Sequence, residues 1–258
     1  MSADRFFFVH LVKTAGTSLR TRLQHHFGER AIYPDASDAG QTQYFSIAHL
    51  RERVRARGDE IRLVTGHFPL CTAEILGGEF TTLTVLREPT ERTLSHLSHH
   101  RAWSRKDRGK RLEDVYSDPL VFHGMLHNHM VKMLSLTPEE AQQVDDVRMN
   151  GMLTRVEFTE ERLERAKAGL ASVDAVGLYE RIDEFFAELT LRFGWDLGPP
   201  QHQMRVDPLA KREAGAEVSD SFRARVAEDN AMDIELYRFA QRQCDRRQAD
   251  AARGRVAG

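Results

Sequence analysis

Phe6-Phe7-Phe8-Val9-His10-Leu11-Val12-Lys13-Thr14-Ala15-Gly16-Thr17-Ser18-Leu19 is the stretch whose reading decides the fold. An apolar run rich in aromatic and β-branched residues stops at a lysine, a glycine and hydroxyl residues, and a helical pattern follows. Phe6 to Val12 reads as a fully buried strand. Thr17 to Phe27 reads as a helix, with Leu19, Leu23 and Phe27 at helical spacing. A buried strand feeding a tight turn that opens a helix builds an anion site, because the first N–H groups of a helix have no partner within it. Lys13 adds a mobile positive charge, and Thr14, Thr17 and Ser18 add hydroxyl donors. A phosphate or a sulfate suits that set. The lysine precedes the glycine, so the order G-x-x-x-x-G-K of the common nucleotide loop is absent and an ordinary ATPase or kinase is disfavoured.

Outward from this stretch, strands and helices alternate. Residues 34–44 read as a loop. Ile47 to Arg57 reads as a charged surface helix ending at Gly58. Ile61 to Thr65 is a second strand, followed by Gly66-His67-Phe68-Pro69. Phe80 to Leu86 is a third, ending at Arg87-Glu88-Pro89. Pro89 fits the first turn of a helix running to about Ser104. Residues 111–171 read as mostly helical, Asp174 to Leu178 as a strand and Ile182 to Phe193 as a helix. Gly198-Pro199-Pro200 breaks the chain, a polar loop follows, and helical patterns run from Val218 to about Ala251. This alternation predicts an α/β fold with a parallel sheet, in which ligands bind at the carboxyl ends of the strands. Lys13, His67 and Arg87 each follow a predicted strand and so share one rim. No repeat or interdomain linker appears, and residues 1–258 read as a single domain.

Composition sets outer bounds. The chain has 258 residues, 41% of them hydrophobic and 29% charged. Its net charge of -2 gives no global reason to expect nucleic acid as a partner. The two cysteines, Cys71 and Cys244, form no CxxC pair, which favours a reducing compartment. The amino-terminal apolar run is too short to span a bilayer and lacks the marks of a secretory leader. The expected location is cytoplasmic, without a membrane span.

Three further groups carry chemistry. Arg87 can grip a phosphate through a charge-assisted fork, and Ser95, about two helical turns on, can add a hydroxyl. The same residues also suit a structural Arg–Glu pair at a helix start. His67 suits a general base, or a histidine that hydrogen-bonds a loop carbonyl. His96 and His100 stand four apart, a spacing that can chelate zinc, but no cysteine lies near and no metal is expected. His123, His127 and His129, with Asn128, form a second cluster suited to packing or to a cleft wall. Arg101 to Arg111 is a basic run, which reads as a solvated face or as an attraction for an anionic acceptor or donor.

Lys13-Thr14-Ala15-Gly16-Thr17-Ser18 resembles the 5′-phosphosulfate loop of sulfotransferases, and Val85-Leu86-Arg87-Glu88-Pro89-Thr90-Glu91-Arg92 with Ser95 resembles their 3′-phosphate motif. The pattern is similar to the family that includes uronyl and heparan sulfate 2-O-sulfotransferases and many bacterial members. Val176-Gly177-Leu178-Tyr179-Glu180-Arg181, Asn128 to Leu134, and Asp233 to Tyr237 resemble further family segments. The resemblance implies a P-loop-like parallel sheet flanked by helices, with an additional helical carboxyl-terminal part. It implies a donor, 3′-phosphoadenosine 5′-phosphosulfate (PAPS), whose sulfuryl group passes to an acceptor hydroxyl or amine without a metal. Lys13, Thr14, Ala15, Gly16, Thr17 and Ser18 would hold the 5′-phosphosulfate, and Arg87 and Ser95 the 3′-phosphate. His67 would be the base, and Lys13 would also act in catalysis. His202 or Arg205 in the late loop would contribute at the adenine-phosphate end. The alternatives are a nucleotide-dependent phosphotransferase and a non-catalytic nucleotide-binding scaffold. The acceptor, whether carbohydrate, lipid, small metabolite or peptide, and the oligomeric state stay open.

Overall fold

The computed structural model describes residues 5–38, 46–143, 152–198 and 218–256. His202 and Arg205 lie outside them. Five parallel strands form one sheet in the order β2-β3-β1-β4-β5. They are β1 (Phe6–Val9), β2 (Ile32–Tyr33), β3 (Leu63–Gly66), β4 (Thr81–Leu86) and β5 (Ala175–Leu178). Between and after them run α1 (Gly16–Phe27), α2 (Ile47–Arg57), α3 (Thr72–Ile75), α4 (Pro89–Trp103), α5 (Leu112–Tyr116), α6 (Pro119–Val121), α7 (His129–Ser135), α8 (Pro138–Gln142), α9 (Glu160–Ser172), α10 (Ile182–Phe193), α11 (Asp220–Asp229) and α12 (Ala231–Val256). Among the described residues no helix is long and apolar enough to cross a membrane.

All four residues of β1 are buried, as expected of a central parallel strand covered on both faces. Phe6 and Phe8 pack with Leu19 and Leu23 of α1 and Phe185, Phe186 and Leu189 of α10. The Trp195 ring closes this layer 4.7 Å from Phe6. Phe7 and Val9 point the other way, into a core shared with α2, α7, α9 and α12. A smaller cluster joins α4, α5 and α11 through Leu94, Leu97, Val115, Tyr116, Phe222 and Val226.

Three features differ from the sequence reading. β1 ends at Val9 rather than Val12, because the Leu11 N–H donates to the Val9 carbonyl at 3.1 Å and turns the chain, while Leu11 and Val12 stay apolar and buried. β2 has only two residues, too few to show a period. The middle region is broken by a π-turn, Phe122–Leu126, and by an irregular segment at residues 152–159. Pro89 opens α4 as its place in the sequence predicts, behind a Glu88 cap, and Gly28, at φ +78°, ends α1.

Candidate active site at the carboxyl rim of the sheet

Register places the site. Val9 pairs with Gly66 on one side and Thr84 on the other, so β1 ends level with β3 and two residues short of the end of β4. The loop leaving β1 therefore runs between His67 and Arg87. Thr84 Oγ1 fastens its start by donating to the Val9 carbonyl at 3.0 Å.

The loop is tightly wound. Thr14 is fully buried and its hydroxyl donates to the Leu11 carbonyl at 2.9 Å, so this proton is turned inward. Lys13 and Ala15 both have positive φ, +66° and +71°. Side chains there cost on the order of 1–3 kcal/mol each, and such strain gathers at functional sites. Gly16 opens α1. A Cβ on it would stand 1.5 Å from His10 Nε2, so the packed His10 ring is what requires a glycine. The N-cap residue of α1 is Ala15, whose side chain offers no acceptor, and the first turn carries Thr17 and the half-buried Ser18.

Arg87 leaves the end of β4 and donates from Nη1 to the Lys13 carbonyl at 3.2 Å. Its guanidinium lies over the Tyr179 ring, 4.3 Å from the centroid. Glu88 is no partner for it, because both Glu88 carboxylate oxygens cap α4 by accepting from Thr90 N and Glu91 N. Among the described residues neither Lys13 nor Arg87 has a carboxylate within ion-pair distance, and the buried Arg87 Nε has no acceptor. Burial, then the adjacent Arg87 charge, lowers the Lys13 pKa. Two neighbouring cations without an acid between them favour an anion. Ser95 stands half-buried on α4.

His67 Nδ1 lies 2.7 Å from the His10 carbonyl. A carbonyl only accepts, so Nδ1 carries the proton and the lone pair sits on Nε2. Burial lowers the His67 pKa against the opposing pull of that bond, which keeps the ring neutral near pH 7. The loop-carbonyl bond and the capacity to act as a base thus coexist, on opposite nitrogens. Gly66 has φ +152°, and a Cβ there would meet the Phe68 ring at 2.6 Å, so its space is claimed by the chain's own side chain.

The supporting layer was less legible in sequence. Glu180 accepts from Glu88 N at 3.0 Å and from the Tyr237 hydroxyl at 2.6 Å, fixing the start of α4 beside Tyr179. Arg92, fully buried, donates to the Met125 and Leu126 carbonyls and faces Asp233 at 3.9 Å. Asp233 in turn accepts from Met130 N and Val131 N at the head of α7. Their family-like segments are therefore braces around the rim.

The histidine clusters separate. His100 turns to Asp107 at 3.0 Å, whereas His96 is buried with neither ring nitrogen paired. His129 is buried in the same way, and His123 and His127 border a cavity that Asn128 and Lys132 also line. Among the described residues the set with metal-ligand spacing is Glu160, Glu164 and Glu235, all exposed, with Lys167 paired to Glu164 and Glu235. The basic run is largely self-neutralised: Lys106 pairs with Asp118, Lys110 with Asp107 and Arg111 with Asp114.

No protein-family model matches the chain, and no curated protein matches it. Six chains of solved structures match. One is the crystal structure of a sulfotransferase from Alicyclobacillus acidocaldarius, 17% identical, with 90% of this chain and 96% of that chain covered at a TM-score of 0.43. A likeness at that level assigns no chemistry, and the functional reading rests on the residues of the rim.

Proposed function

We propose that the protein is a PAPS-dependent sulfotransferase. The observation that carries the reading is the Lys13–Arg87 pair: two cations joined through a backbone carbonyl, without an acidic partner among the described residues, at the start of α1. A donor with a phosphosulfate at one end and a phosphate at the other supplies two anionic groups to such a pair. The backbone of Lys13 to Ser18 and the Lys13 ammonium would hold the 5′-phosphosulfate. Arg87, steadied on Tyr179, and Ser95 would hold the 3′-phosphate. The Thr14 hydroxyl proton serves the loop itself, so its part is to shape the turn.

The chemistry is an in-line displacement at sulfur. His67 Nε2 takes the proton of an acceptor hydroxyl or amine, the acceptor atom forms a bond to sulfur, and the bond from sulfur to the bridging oxygen breaks. Lys13 and the loop N–H groups stabilise the charge that develops on that oxygen. The test is thermal shift with the product nucleotide, 3′-phosphoadenosine 5′-phosphate, against ATP. Greater stabilisation by the 3′-phosphorylated nucleotide supports the reading, and equal or greater stabilisation by ATP overturns it.

A further inference from the structure

Asn128 and Lys132, at the cap and within α7, help to line a cavity of ≈ 630 Å³. The irregular backbone of the middle region converges on it. The π-turn Phe122–Leu126 leads into Asn128, which stands at φ +42°. Lys132 forms part of the floor, but its three donors are taken by the carbonyls of His123, Gly124 and Met152. Its ammonium pins the π-turn to the segment after residue 151, and these three carbonyls hold its charge.

The lining has two characters. One wall is apolar: His127 lies stacked on Phe122 at 4.9 Å and meets the Phe158 ring edge at 4.6 Å, with Met232 nearby. Burial lowers the His127 pKa, so this wall is uncharged at neutral pH. The rim is acidic. Glu157 and Glu228 have no ion pair among the described residues, and Asp229 is shared with the Tyr116 hydroxyl and Arg225. Arg155 alone opposes them with a cation on the lining that is not consumed by carbonyls.

We infer that this cavity is a binding site for an organic cation, an amine carrying an apolar body, with the body against His127, Phe158 and Met232 and the ammonium toward Glu157 and Glu228. Aromatic faces beside carboxylates favour a cation over a neutral or anionic ligand of the same shape. The inference does not depend on the donor reading, since it uses neither Lys13, His67, Arg87 nor any other residue at the carboxyl ends of the strands.

Phenethylamine, phenethyl alcohol and phenylacetate share one ring and differ in their head group. Each is titrated into the full chain carrying ¹³C-methyl methionine, with the Met232 signal identified by its loss in Met232→Leu. The amine should move that signal saturably, the alcohol should bind at least about fivefold more weakly, and the acid should leave it in place. A double Glu157→Gln, Glu228→Gln variant with an unchanged circular dichroism spectrum should weaken amine binding by a similar factor. Binding of the acid as tight as that of the amine, a Met232 signal indifferent to the amine, or full amine affinity in the folded double variant would each overturn the inference. Should the double variant not fold, the comparison of head groups on the parent chain decides alone.

Discussion

Arg87 and Arg92 lie five residues apart, the first half-buried and the second fully buried, and their surroundings differ. Arg92 has two carbonyl acceptors, Met125 and Leu126, and the carboxylate of Asp233, and it ties α4 to the π-turn and to α12, with only its Nε unpaired among the described residues. Arg87 has one carbonyl and the face of Tyr179. A cation surrounded by its own chain's acceptors is structural. One held in place with donors to spare is available to a ligand. The contrast separates stability from binding within a single short segment.

The largest effect should follow from Arg92→Met. It strands Asp233 without its counter-charge, and breaking a buried pair from one side costs about 3–5 kcal/mol. Urea denaturation measures the loss. A change below about 1 kcal/mol would mean that the α7 N–H groups alone satisfy Asp233. Next comes His67→Ala. Turnover should fall about 10²–10⁴-fold while binding of 3′-phosphoadenosine 5′-phosphate is retained. Near-full turnover in the folded variant removes the base role. Arg87→Ala should leave urea stability within about 1 kcal/mol of the parent, because no buried acid depends on it. It should also weaken the nucleotide by roughly 10–100-fold, the worth of one or two charge-assisted bonds. A loss of stability as large as that of Arg92→Met would erase the contrast between the two arginines.

The same contrast explains what was legible in sequence. β1, β3, β4 and β5, with α1, α4 and α10, announce themselves through apolar runs, helical spacing and the Pro89 that opens α4, all local signals, whereas the two residues of β2 do not. Lys13, His67 and Arg87 were legible because each follows a strand, and parallel topology brings strand ends together whatever the intervening chain does. Arg92 and Asp233 were not, since their partnership joins residues 141 positions apart and a lone arginine in a charged helix looks solvated. Tyr179 was quoted as part of a motif, yet only the fold reveals that its ring lies under Arg87. Gly66 and Gly16 were noticed as glycines, but the side chains that claim their space, Phe68 and His10, could not be read from spacing.

Histidines sharpen the comparison through pH. His10, His67, His96 and His129 all have pKa values lowered by burial from the ordinary histidine value of about 6.5. The unfolded chain then binds more protons than the native one as pH falls, so this part of the stability is fully present above pH 6.5 and is lost below it. Asp233 works the other way, its pKa raised by burial, but it is one group against four. Calorimetry should show a lower melting temperature at about pH 5 than at about pH 7.5, in a range where ordinary carboxylates stay ionised. His129→Gln should flatten that slope, and an unchanged slope would assign the acid sensitivity elsewhere.

The smallest effect belongs to the basic run. Lys106, Lys110 and Arg111 are held by Asp118, Asp107 and Asp114, and Arg101 donates to the Lys110 carbonyl, which leaves Arg105 and Arg108 as the exposed charges. Exposed charges separated from a ligand by more than about 8–10 Å are screened at physiological ionic strength. The double variant Arg105→Ala, Arg108→Ala should therefore change stability by no more than about 0.5 kcal/mol. Its affinity for 3′-phosphoadenosine 5′-phosphate should stay within about twofold, against the loss expected at Arg87. A tenfold loss in the double variant would place the run beside the nucleotide and extend the anion site along α4. The unpaired cations that matter would then number four rather than two, and the distinction between held and available charge would have to be drawn at the end of that helix as well as at its beginning.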